Sequence, residues 1–179
     1  MAIDRLIIRI AIGAVVLLFA LAFALRADTV ESTGSIEISA PPDVVWATLV
    51  DPGQRHFWME SVTAAVPTVG AYGSAASSMM LSVSQEGVMR HIYEDVDTSA
   101  PPLLLQTSID DPQGVLQLST TYELRPVGAG GVRTRLKISV TRGLDGFLAP
   151  YFAFVVKNRG DENVTYNLNA MKRLVESNL

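Results

Sequence analysis

The stretch 35-SIEISAPPDVVWATLVDPGQRHFWMES-61 decides the fold. Ile36 and Ile38 alternate with polar neighbours, the period of a short half-buried strand. Pro41-Pro42 ends that strand, and Pro42 suits the first position of a helix, where its missing N–H costs nothing. Val44, Val45, Trp46 and Leu49 then give a helical apolar face, Asp51-Pro52-Gly53 makes a turn, and Gln54 to Met59 reads as a second short helical piece. No catalytic motif lies in the stretch, so its meaning depends on what the rest of the chain builds around it.

Downstream the period is 2. Val62 to Val66 is one strand, and Ser77 to Ser84 places Met79, Leu81 and Val83 on one face. Gln85-Glu86-Gly87 reads as a hairpin turn, with Val88 to Val96 returning. A two-residue turn at Glu86-Gly87 sets Leu81 opposite Ile92, and a turn one residue longer sets it opposite His91. Such a slip exchanges the faces of the strand; Ile92 inward is the more apolar choice and the one adopted. Leu103 to Ile109 puts Leu103, Leu105 and Ile109 on one side. Leu116, Leu118, Tyr122 and Leu124 alternate with Gln117, Ser119, Thr121 and Glu123, and 128-GAGG-131 turns the chain into Leu136, Ile138 and Val140. These are antiparallel strands with one face buried and one wet.

From Leu144 to Glu176 the period becomes about 3.6. The inward stripe is Ala153, Val156, Gly160, Val164, Leu168, Met171 and Val175, with Pro150 early enough to sit in a first turn or to mark a kink. One strand, two short helices, a run of antiparallel strands and one long helix make an α+β sheet with helices on one side.

Upstream, residues 6–25 read LIIRIAIGAVVLLFALAFAL, with Arg9 as the only charge. That is the length of a bilayer-spanning helix, provided Arg9 snorkels to the head groups. A cleaved signal peptide, with Ala22-Phe23-Ala24 as its site, is the alternative; the apolar run is long for one. Residues 1–27 are therefore read as an uncleaved single-pass anchor, 28–33 as a linker and 34–179 as one folded domain. Arg5 and Arg9 precede the run and Arg26 follows it, a bias that leaves the N-terminus inside and the domain on the outer side of the membrane.

The chain has 14 basic and 18 acidic residues and no cysteine. A disulfide framework, a thiol nucleophile and a thiolate metal site are thereby excluded. Without residues 1–27, 11 basic and 17 acidic side chains remain, a net charge near −6. An acidic domain without a basic run is a poor nucleic-acid binder.

Few residues suggest chemistry. His56 and His91 are the only histidines, with no metal-ligand spacing between them or to carboxylates. Glu94-Asp95 and Asp110-Asp111 are adjacent on strands, so each pair splits between two faces; Asp110-Asp111 also precedes Pro112, a turn signal. Arg90 and Glu94 share a face and can form an ion pair. No nucleophile motif or phosphate loop occurs, 128-GAGG-131 joins strands and opens no helix, and neither a cofactor nor a metal site is expected. Met79-Met80 and the aromatics Phe147, Tyr151, Phe152 and Phe154 read as core, or as a deformable lining for an apolar ligand. Gly160 reads either as a gap left for a ligand in mid-helix or as a break between two helices.

The segments IEISAPPDVVWATLVDPGQRHFWM, DVDTSAPPLLL and TYELRPVGAGGVRTRLKISV, with the closing helix, resemble the START-like, or SRPBCC, superfamily, and within it the polyketide cyclase/dehydrase-type branch. The resemblance spans Ser35 to Val175; the apolar N-terminal run departs from it. It implies a helix-grip fold, a curved sheet around a long C-terminal helix with a hydrophobic ligand cavity between them. The Trp46 helix would then plug one edge of the sheet, and Trp58 would lie at the cavity mouth. Met79, Leu81, Val83, Ile92, Leu105, Leu118, Tyr122 and Leu136 would line the cavity from the sheet, and Phe152, Val156 and Gly160 from the helix. The expected function is membrane-anchored binding of a hydrophobic small molecule or lipid, with no catalytic residue assigned. A cyclase or dehydratase drawing on Arg90, His91, Tyr93, Glu94 and Tyr122, and an interaction module with a collapsed cavity, are the alternatives.

Overall fold

The computed structural model describes residues 29–85, 87–111, 117–144 and 149–179, together with the isolated Gly13. The segment expected to anchor the chain lies outside them. No described helix is long and apolar enough to cross a membrane.

The elements are β1 (Thr29–Ile38), α1 (Pro42–Val50), a 3-10 turn (Pro52–Gln54), α2 (Arg55–Trp58), β2 (Val62–Val69), β3 (Ser78–Gln85), β4 (Val88–Ala100), β5 (Leu104–Asp110), β6 (Gln117–Val127), β7 (Arg133–Gly143) and α3 (Ala149–Ser177). The strands form one antiparallel seven-stranded sheet in the order β1-β7-β6-β5-β4-β3-β2. Register shifts between Val62 and Ala64 on β2 and between Val96 and Thr98 on β4 interrupt the ladders. Such irregularities bend strands and add twist.

Leu81 pairs with Ile92, and Gln85 with Val88, so two residues make the β3–β4 turn. This is the register in which Ile92 faces inward. Gly87 takes φ +80°, a conformation that suits glycine in such a turn. Gln117, Ser119 and Lys137 are on the solvent side, while Tyr122, Leu124, Leu136 and Ile138 are buried.

Several boundaries differ from the sequence reading: β2 continues to Val69 and β4 to Ala100, and two other differences bear on the inner face. β1 begins at Thr29, so the stretch expected to link anchor and domain is strand from its second residue. Val30 and Ser32 face inward and pair through Arg142 and Val140 of β7, an alternation hidden by the polar residues around it. Leu103 was expected on the inner face but is exposed, because it lies in the turn before β5 and its backbone bonds Ala100 and Leu124 instead.

α3 runs unbroken through Gly160, with Pro150 in its first turn. Its buried residues Val164, Leu168, Met171 and Val175 follow the expected stripe, and it packs chiefly on β1 and α2. Glycines set the approach: a Cβ at Gly34 would lie 2.9 Å from Leu168 Cδ1 and 3.0 Å from Val164 Cγ1. A Cβ at Gly160 would overlap Ser32 Oγ. Gly160 therefore admits β1 at close range, and the ligand space expected beside it is filled by Ser32.

Candidate functional site

Burial along the inner face of the sheet is graded. At the end capped by α1 and the C-terminal half of α3, Ile38, Leu49, Leu136, Met171 and Val175 are almost wholly screened from solvent. Toward the other end four of the strands open, while Val30 on β1, Val62 on β2 and Ile109 on β5 stay buried. Val83 follows buried Met79 and Leu81 on β3, Arg90 follows Glu94 and Ile92 on β4, and Leu118 precedes Thr120 and Tyr122 on β6. Val140 and Arg142 follow Ile138 on β7. All of these are half-buried where their neighbours are sealed, as are Ala153 and Val156 on α3. The grip is closed at one end and has a mouth at the other.

Of the residues expected to line a cavity, Met79, Leu81, Ile92, Leu105, Tyr122 and Leu136 lie in the sealed core, and Val83, Leu118 and Val156 at the mouth. Trp58 is fully buried, with its ring edge-on to Tyr122 at 6.3 Å, and so belongs to the core instead of the mouth. The side chain of Phe152 lies outside what the structure describes.

The sealed region holds a polar cluster that sequence reasoning missed. Arg55, on α2, is fully buried. Its guanidinium donates through Nη2 to Tyr72 Oη at 2.6 Å and through Nη1 to Met59 Sδ at 3.0 Å. It lies 4.9 Å from the ring centroids of both Trp58 and Tyr72. Nη2 also lies 3.2 Å from Glu94 Oε2, an ion pair between two buried side chains. Burial by itself would weaken the protonated guanidinium, but Glu94, with Tyr72 and Tyr122, more than offsets this and holds Arg55 firmly charged. Burial pushes the Tyr122 hydroxyl up to about 12 and moves Tyr72 in the same direction. Both phenols stay neutral.

The Glu94 carboxylate is held by its ion pair with Arg55, and three further buried polar atoms here lack a hydrogen-bond partner among the described residues: Arg55 Nε, Trp58 Nε1 and Thr107 Oγ1. Each costs about 1–3 kcal/mol if left so. Glu94 pairs with Met79 on β3 and Ile109 on β5, two residues along from Val96, which pairs with Thr107. Adjacent inward positions on neighbouring strands are thus polar in an otherwise apolar wall.

Other candidates separate. Glu94 binds Arg55, not Arg90; Arg90 and Arg142 are inward-facing at the mouth with no side-chain partner among the described residues. Burial lowers the pKa of Arg142, with no carboxylate to offset it. His91 and Tyr93 point outward, and His91 Nδ1 meets Ser82 Oγ at 3.1 Å. Among the described residues no three His, Asp or Glu side chains are grouped to hold a metal. Asp111, directly after β5, is buried and engaged, and the turn expected after it lies outside the described residues. A groove along α3 between Asp161 and Arg173 is open to solvent and faces away from the sheet.

No curated protein matches the sequence. Solved structures do. A START superfamily protein from Mycobacterium smegmatis superposes with a TM-score of 0.66 at 15% identity, over 83% of this chain and 99% of that one. The Zhui aromatase/cyclase from Streptomyces sp. R1128 gives 0.65 at 17% identity, over 83% and 94%. A protein from Thermus thermophilus gives 0.66 at 18%, over 83% and 98%. At such identities the likeness is one of fold: a START-like, helix-grip architecture. The family model described as polyketide cyclase / dehydrase and lipid transport matches residues 29–176, all seven strands and α3 almost to its end, and the chain belongs to that family.

Proposed function

We propose that this protein binds a hydrophobic small molecule or lipid between sheet and α3, and that residues 6–25 hold it at a membrane. The carrying observation is the graded inner face: apolar side chains, sealed at one end, stay half-open at Val83, Leu118, Val140 and Val156 at the other. Ligand sites are concave, mostly apolar and marked by a few polar groups. Anchoring is supported by the 20-residue apolar run, which matches the thickness of a bilayer core. Native mass spectrometry of the full chain, extracted from membranes in mild detergent, tests both parts. A co-purifying apolar molecule on an intact N-terminus is expected. A ligand-free protein that takes up no added lipid, or a soluble form cut near residue 25, would end the proposal.

One observation favours a second reading, that of a cyclase or dehydratase. Arg55, Glu94 and Tyr122 bring ionisable groups together in the interior, as acid–base chemistry requires. Binding ranks first because Arg55 already neutralises Glu94 and both are sealed from the mouth. Bound species that differ from one another by a water, and disappear in Glu94→Gln, would reverse the order.

A further inference from the structure

We propose that the mouth of the grip faces the bilayer, with Arg90 and Arg142 taking lipid head-group phosphates while Val88, Met89, Phe154 and Val155 enter the interface. This rests on the anchoring proposed above and adds to it an orientation and a head-group chemistry.

Topology supplies the first argument. Thr29 pairs with Gly143 and Val30 with Arg142, so β1 begins at the mouth. Only Arg26, Ala27 and Asp28 separate it from the apolar run. Fully extended, they reach about 14 Å. A tether so short cannot carry the chain around to the far end of the sheet, so the end nearest the bilayer is the open one.

Surface chemistry supplies the second. The β3–β4 turn and the first turns of α3 belong to the same end of the sheet as Arg142, because Val83 pairs with Arg90 beside that turn and Gly160 meets Ser32 two residues from Val30. There Val88, Met89, Phe154 and Val155 are each more than half exposed, Phe154 at 74%. Exposed apolar residues around an opening mark a contact surface. Behind them Arg90 and Arg142 point inward without carboxylate partners among the described residues. A guanidinium matches phosphate geometry in two hydrogen bonds. The domain's net negative charge gives no long-range pull toward an acidic membrane, so the tether supplies proximity and the arginines act locally.

The absence of native cysteine makes the test direct. The full chain, reconstituted into phosphatidylcholine–phosphatidylglycerol vesicles, carries an environment-sensitive dye at Met89→Cys, Phe154→Cys or, at the far hairpin, Val132→Cys. Quenching by spin-labelled lipid and a blue shift are expected at 89 and 154 and not at 132. Replacing both arginines, Arg90→Gln with Arg142→Gln, should reduce the contact by about fivefold per charge. Equal quenching at 132, or none at 89 and 154 in protein that floats with the vesicles, overturns this proposal and leaves the anchor standing. Unchanged quenching in the double variant overturns the head-group assignment. Protein that fails to float overturns the anchor, and this orientation with it.

Discussion

Arg55 Nη2 and Glu94 Oε2 face each other at 3.2 Å where neither side chain meets solvent. The desolvation of two such charges is repaid only while both are present. Glu94→Leu should therefore destabilise the fold by about 3–5 kcal/mol, since it strands the guanidinium. Arg55→Met with Glu94→Leu should recover most of that loss, because an apolar pair of similar volume leaves no buried charge. Urea unfolding of wild type, single and double variants checks this. A double variant no better than the single would show that the cluster is needed for packing as well as charge.

The same cluster predicts an alkaline signature. Burial raises the Tyr122 hydroxyl from the ordinary 10.0 to about 12. A group whose folded pKa is raised contributes stability that is complete below the unfolded value. That stability fades as pH rises from 10 through the folded value. Tyrosinate absorbance should show Tyr72 and Tyr122 ionising together with unfolding. Tyr122→Phe should remove amplitude from that cooperative step and leave the earlier one unchanged.

Register was readable because a two-residue turn and an apolar face agreed on Leu81 opposite Ile92. The polar cluster was half readable. Once Ile92 and Val96 are inward, strand parity places Glu94 between them, so a buried carboxylate was implied. Its partner was not. Arg55 stands in a four-residue helix, RHFW, too short for any periodicity to assign a face. Only the fold's closure over α2 turns it inward. The start of β1 escaped for a related reason: Ser32 is buried because Gly160 lets α3 approach, a contact between residues far apart in the chain.

Acid should loosen the seam between β1 and α3. Glu176 accepts the Ser39 backbone N–H at 2.8 Å and pairs with Lys172 at 3.2 Å, and that hydrogen bond above all lowers its pKa below 4.5. Glu37, bound to Arg135 and Arg133, is lowered as well. Carboxylates lowered in the folded state contribute stability that is present above the ordinary value and is lost as pH falls through the folded one. Glu176→Gln should be less stable than wild type at neutral pH. The gap should close as pH falls below 4.5, as denaturant midpoints measured across that range would show.

Two substitutions on one helix separate packed from open space. Gly160 lies against Ser32. Leucine there gains a little under about 1 kcal/mol of helix propensity but must displace β1, at a cost of about 1–3 kcal/mol or more. Gly160→Leu should therefore lower the melting temperature, with ligand lost only as the protein unfolds. One turn earlier, Val156 lies on the same inward stripe but stays half-open at the mouth. If the mouth is open, Val156→Trp should keep stability within about 0.5 kcal/mol of wild type, as substitutions outside the packed core usually do, while its ring occupies the entrance. Native mass spectrometry should then find the co-purifying apolar molecule reduced in Val156→Trp at unchanged stability. If Val156→Trp is as destabilising as Gly160→Leu, the mouth is packed core and has no room for a ligand. If it is stable and still fully loaded, the ligand enters elsewhere.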